Sequence, residues 1–177
     1  MTTRNDSPNT PLQPQQPGLL QECGLTAPHP AIWSWPPDAH LAIALLAALP
    51  VWVALGLWAA GAMQAPVGYV AWIYLIAVTP IMEELVFRGL LQGLALQLTN
   101  SNGRPRRLGL ATLANVLVTA GFVALHLRAQ PLVWALAVAA PSLVLGHLRE
   151  RFSSVWPSVL VHAIYNVGFG LIAWLAI

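Results

Sequence analysis

Two adjacent glutamates and an arginine, Glu83, Glu84 and Arg88, interrupt the otherwise apolar run PIMEELVFRGLL over residues 80–91. On a helix Glu84 and Arg88 are four residues apart and share a face, the spacing of an ion pair. Glu83 is turned about 100° away from Glu84 and reaches the arginine less easily. A structural ion pair therefore accounts for Glu84 and Arg88 and leaves Glu83 over. An unpaired carboxylate in a low-dielectric site is suited to taking a proton from water.

Two more pairs follow at the same spacing: Phe122 and His126 in FVALH, and His162 and Asn166 in HAIYN. A lone histidine on an apolar helix is more often a satisfied core or interfacial residue than a catalytic one. The conjunction carries more weight than either motif. Glu83, His126, His162 and Asn166 fall on three separate apolar segments, and groups so costly to bury converge on one another or on a water-filled pocket. The chemistry they offer is proton handling, either the activation of a water or a relay.

The elements that must hold these groups are membrane helices. The 177-residue chain is 57% hydrophobic and 8% charged, against roughly 25% charged in an ordinary soluble domain. Five apolar blocks follow His40, at about residues 41–63, 67–98, 108–127, 131–148 and 155–177. Each is near or above the ~20 residues that cross a bilayer as a helix, and they lack the polar stripes of a soluble bundle. The expected fold class is all-α, a polytopic membrane protein with about five transmembrane helices. The second block is longer than one span requires. It is expected to kink at Pro80 or to carry its last turns out of the hydrocarbon.

Residues 1–37 are rich in Pro, Gln, Asn and Thr and are expected to form a disordered polar tail. The tail shows no signal-peptide pattern; Trp33 and Trp35 read as interfacial anchors. Residues 38–66 are expected to supply the first transmembrane helix and a turn, and 67–177 the core. The net charge of +2 comes from arginine alone. With five spans, Arg4, Arg104, Arg106, Arg107, Arg149 and Arg151 fall on one side and Arg128 on the other, which places the N-terminus in the cytoplasm. The expected location is a bacterial inner (plasma) membrane. The arginines make no basic stripe interleaved with aromatics, so nucleic acid is not an expected partner. The single cysteine, Cys23, excludes an intrachain disulfide.

EELVFR (83–88), FVALH (122–126) and HAIYN (162–166), in that order, resemble the three signature motifs of the CPBP family, EExxxR, FxxxH and HxxxN/D. That family contains the CAAX prenyl endopeptidases and the bacteriocin-processing or self-immunity (Abi-like) proteins. The resemblance covers about residues 75–177 and implies a four-helix catalytic core. It implies Glu83 as the general base that activates water, His126 as a group orienting that water, and His162 and Asn166 as donors to the tetrahedral oxyanion. Glu84 and Arg88, with Phe122, would hold the site in place. Oxyanion donors are typically worth ~2.7–4 kcal/mol each. The implied activity is hydrolysis of a peptide bond near the C-terminus of a membrane-anchored or prenylated protein, with the lipid bilayer as the other partner.

No cofactor is expected. A zinc ion on Glu83, His126 and His162 is the alternative, although the chain has no HExxH. Ser142 and Ser158 lie on spans, but neither stands in a Gly-x-Ser-x-Gly setting. Ser142, after Pro141, reads as a helix-bonding hydroxyl. His29, His40 and His147 match no motif and read as interfacial or loop residues. Two other functions fit less well: a non-catalytic scaffold or immunity protein of the same family, and a proton-coupled transporter, for which the blocks show no internal repeat. Counted from the Arg104–Arg107 loop, Glu83 and His126 are about fifteen to twenty residues away, ~22–28 Å along a helix, which places the site near mid-bilayer.

Overall fold

The computed structural model describes residues 18–27, 30, 38–58, 60–101 and 103–175. Arg4, His29, Trp33 and Trp35 lie outside the described residues. The elements are α1 (Leu19–Glu22), α2 (Ala39–Trp58), a long α3 (Gly68–Thr99), α4 (Leu113–His126), α5 (Leu132–Ala137), α6 (Ala139–Phe152) and α7 (Trp156–Leu175). Two small antiparallel hairpins, β1–β2 (Asn100–Ser101 with Arg104–Pro105) and β3–β4 (Arg107–Leu108 with Ala111–Thr112), join α3 to α4.

Four segments are long and apolar enough to cross a membrane: α2, α3, the α5–α6 pair (Leu132–Phe152) and α7. The chain is an all-α polytopic membrane protein. α5 and α6 break at Val138, where Pro141 lacks the N–H that would have bonded Ala137 four residues back. The third apolar block differs from its expected span. Residues 107–112 turn back on themselves in β3–β4, and the Thr112 hydroxyl caps α4 by accepting from Asn115 N–H. The helix that remains has 14 residues, ~21 Å, short of a ~30 Å hydrocarbon core.

α3 does not simply kink at Pro80. It widens into π turns at Tyr74–Val78 and Leu85–Leu91, on either side of Thr79–Glu84. Thr79 N–H bonds Tyr74 O, five residues back. The next bond of that ladder would require an N–H on Pro80, which has none. The proline thus ends the wide turn and leaves the Leu75 carbonyl without a partner in its own helix.

α7 is the hub. It packs against α2, α6 and the first half of α3, while α4 packs against α6 and the second half of α3. One core cluster joins Leu41, Ala44, Leu145, Leu148, Phe152 and Val161; a second joins Phe87, Val118 and Phe122. Large apolar side chains such as Val133 and Trp174 stand on the outer surface, as expected where lipid is the solvent.

The structure departs from the expected disordered tail at residues 18–27. This stretch docks on the core mainly through its backbone. Val155 N donates to Gly24 O at 2.9 Å, Arg149 Nη2 to Glu22 O at 2.7 Å, and Ser154 Oγ to Thr26 O at 2.9 Å. Two glycines of α3 make the approach possible. A Cβ at Gly93 would stand 2.8 Å from Glu22 O, and one at Gly89 3.2 Å from Cys23 O.

Candidate active site

α3 carries Glu83, Glu84 and Arg88 within its Thr79–Glu84 turn and the π turn that follows. Glu84 and Arg88 are fully buried, with Arg88 Nε 3.2 Å from Glu84 Oε2. The other oxygen of Glu84 takes His162 of α7, with Nδ1 to Oε1 at 2.9 Å. The opposite edge of the same ring faces Glu83, with Nε2 3.8 Å from Oε2. Consecutive helical residues diverge by about 100°, so a ring lying between their directions reaches both carboxylates. The reading of Glu83 as unpaired is thereby corrected. It faces the histidine that its neighbour holds.

The two glutamates are not equivalent. The Glu84 side chain has no exposed surface, whereas Glu83 is 28% exposed. Glu84 accepts from both Arg88 and His162. A carboxylate only accepts, so His162 carries its proton on Nδ1 and presents Nε2 to Glu83. Glu84 therefore sets the tautomer and angle of the ring, whose Nε2 faces Glu83 from 3.8 Å, beyond hydrogen-bond distance.

Phe122 and His126 come from α4. The Phe122 ring meets Phe87 edge-on at 4.8 Å, lies 4.3 Å from the His126 ring, and has the Arg88 guanidinium carbon 5.9 Å from its centre. His126, the last residue of α4, places Nδ1 2.9 Å from Phe122 O. The carbonyl can only accept, so Nδ1 bears the hydrogen and Nε2 is left as an acceptor.

Asn166, one turn beyond His162, donates Nδ2 to Leu75 O at 2.9 Å. In this arrangement one of its amide hydrogens serves the backbone of α3, and the other is not used by that bond.

The site lies close to the α6–α7 turn. Gly89 lies 3.7 Å, counted from an ideal Cβ, from the Val155 side chain in the α6–α7 turn. Glu83 is six residues from Gly89, and His162 seven from Val155, so both lie only ~9–11 Å in from that turn.

Several polar residues that carry no motif also belong to this neighbourhood. Arg88 Nη2 donates to Ser142 Oγ at 2.7 Å, and Ser142 Oγ lies 2.9 Å from Thr119 Oγ1. Gln92 Nε2 donates to Glu150 Oε1 at 2.7 Å, as does the Thr112 hydroxyl at 2.6 Å. The only sequence signal for Gln92 is its position four residues after Arg88. Ser142 is not bonded to its own helix, contrary to the reading above; Ser158 donates to Leu145 O across the α6–α7 interface at 2.8 Å. His40 and His147 pair with each other, ring nitrogens 3.0 Å apart, away from the glutamates. Among the described residues no three His, Cys, Asp or Glu side chains gather as a metal-ligand set.

The sequence model of the type II CAAX prenyl endopeptidase Rce1-like family matches residues 64–168, more than half of the chain, and spans every residue of this cluster from Glu83 to Asn166. The chain belongs to that family. Membership makes it a relative of CAAX-type intramembrane proteases. No curated protein and no solved structure matches the chain.

Proposed function

We propose that the protein is an intramembrane endopeptidase of the glutamate type, cleaving near the C-terminus of a membrane-anchored or prenylated protein. The observation that carries this reading is the single imidazole of His162 held between a sealed carboxylate and a partly open one. A purely structural cluster has no need of a second, accessible glutamate on the far edge of the ring.

In this mechanism Glu83 takes a proton from a water, with His126 Nε2 accepting the water's other hydrogen to orient it. The oxygen attacks the scissile carbonyl carbon, and its electron pair moves onto the carbonyl oxygen. Asn166 donates its second amide hydrogen to that oxyanion, and His162 does so from Nε2 in its doubly protonated form while Nδ1–H stays on Glu84; donors held in advance in a dry site act most strongly. Glu83 then returns its proton to the leaving amine nitrogen as the C–N bond breaks. Glu84 and Arg88 keep His162 in register throughout. No step is assigned to a metal ion.

A substrate that reaches a buried site through the bilayer carries a lipid or a hydrophobic segment near the bond that is cut. The proposed setting is a bacterial inner membrane with the N-terminus of the chain in the cytoplasm. The test compares the C-termini of membrane proteins in host cells expressing the natural chain or Glu83→Gln at matched levels. Uncleaved C-termini that accumulate only with Glu83→Gln establish the protease and name its substrate. Identical termini would move the protein to the scaffold or immunity class.

A further inference from the structure

Arg88 is fully buried, where an unpaired guanidinium is costly. Its bond to Glu84 is long for a charged pair, at 3.2 Å, and uses only Nε. Its shortest contact is Nη2 to Ser142 Oγ, at 2.7 Å. Nη1 has no hydrogen-bond partner among the described residues. Two contacts therefore orient the fork, and Ser142 provides one of them.

Ser142 is itself held. Its hydroxyl lies 2.9 Å from Thr119 Oγ1, Thr119 donates to Asn115 Oδ1 at 3.4 Å, and Asn115 Nδ2 donates to Leu143 O at 2.9 Å. Thr119 Oγ1 thus lies between Ser142 Oγ and Asn115 Oδ1, and either hydroxyl can supply the proton shared with Ser142. The contacts form a continuous chain from Arg88 to a backbone carbonyl of α6, and bonds in such a chain polarise one another.

An arginine fork left to itself takes a carboxylate with two parallel bonds. Here it cannot, because Ser142 draws Nη2 aside. Glu84 Oε1 is thereby left for His162 Nδ1. We propose that Ser142 and Thr119 are positioning residues of the Glu83–His162 centre: they keep Arg88 on one oxygen of Glu84 and so preserve the other for the histidine. As a statement about catalysis this rests on the hydrolytic reading above. Without the Ser142 hydroxyl the fork closes on both oxygens of Glu84, and His162 loses the bond that sets its ring.

The experiment uses the full chain in lipid nanodiscs with ¹⁵N-labelled histidine. The His162 imidazole signals are assigned by their loss in His162→Gln. Ser142→Ala and Thr119→Val are compared with the hydroxyl-retaining Ser142→Thr and Thr119→Ser. The first pair is expected to shift the His162 Nδ1 signal and to lower kcat roughly tenfold with KM unchanged, the scale of one hydrogen bond to a charged group. The second pair is expected to restore both. Should Ser142→Ala fail to fold, the near-isosteric Thr119→Val carries the same test. A His162 signal unmoved in the folded variants overturns the proposal, whatever happens to thermal stability. If the natural chain cleaves nothing, the hydrolytic reading falls while the signal still decides whether the hydroxyls set the ring.

Discussion

The side-chain amide of Asn166 donates to the carbonyl oxygen of Leu75 at 2.9 Å, bridging α7 and α3. Pro80 would have supplied that bond had it an N–H, since Thr79 N–H already reaches five residues back to Tyr74 O. The asparagine thus satisfies a backbone group orphaned by a proline that itself stands three residues before Glu83.

That relationship yields a coupled prediction. Asn166→Leu should lower thermal stability by about 1–3 kcal/mol, the cost of a buried carbonyl left unbonded. Pro80→Ala returns a backbone donor to α3, so the double variant should lose less stability than the sum of the two single changes. Thermal unfolding of the four proteins in one lipid mixture closes the cycle. Strict additivity would show that the two residues do not share the Leu75 carbonyl.

The two glutamates should separate in their effects. Glu83→Gln is expected to abolish cleavage and leave the melting temperature nearly unchanged, since Glu83 is partly exposed and holds no buried cation. Glu84→Gln leaves Arg88 without its counter-ion at a fully buried site, a change that typically costs ~3–5 kcal/mol. Parallel melting curves and cleavage assays distinguish the two. Equal loss of stability in both variants would contradict the division of roles.

Asp38 opens α2, accepting from His40 N–H at 3.0 Å and Leu41 N–H at 3.3 Å. Arg151 at the end of α6 grips the same carboxylate, with Nη2 2.6 Å from Oδ2. The Arg151 bond, then the two backbone donors, hold the Asp38 pKa down at about 2, below its ordinary 3.8. A group depressed on folding stabilises the folded state above its unfolded value and loses that contribution as pH falls through the folded one. Asp38→Asn keeps the cap and removes the charge. It should therefore melt below the natural chain at about pH 6, and the gap should close between about pH 4 and pH 2. A gap that persists at the acid end would mean that the pair contributes through packing alone.

Residues 18–27 lie against Gly89 and Gly93, where a Cβ at 93 would stand 2.8 Å from Glu22 O, a backbone atom that cannot swing aside. Gly93→Val should lift this segment and expose Cys23, which is half-buried and free. The expected result is faster alkylation of Cys23 by a water-soluble maleimide, with the membrane helices still folded. An unchanged labelling rate would show that the segment docks without the glycine contact.

Hydropathy alone marked the long helices, because a segment that faces lipid must be apolar along its whole length. It misjudged α4, where a threonine cap and a tight hairpin, both local polar features, cut an apolar run short. Glu84 and Arg88 were legible as a pair because their spacing is that of one helical turn. The place of His162 between two carboxylates was not, since it depends on how α7 is rotated and how deep it sits against α3. Ser142 and Thr119 were unreadable for a related reason: hydroxyls in apolar helices usually bond their own backbone, and only the approach of α4, α6 and α3 turns these two toward Arg88. The docking of residues 18–27 was hidden because it rests on backbone carbonyls and on two glycines, which carry no side-chain signal. The sequence by itself determined which groups are too costly to leave alone in a membrane. The tertiary structure decided their partners, because hydrogen bonds between helices require a register that no single helix contains.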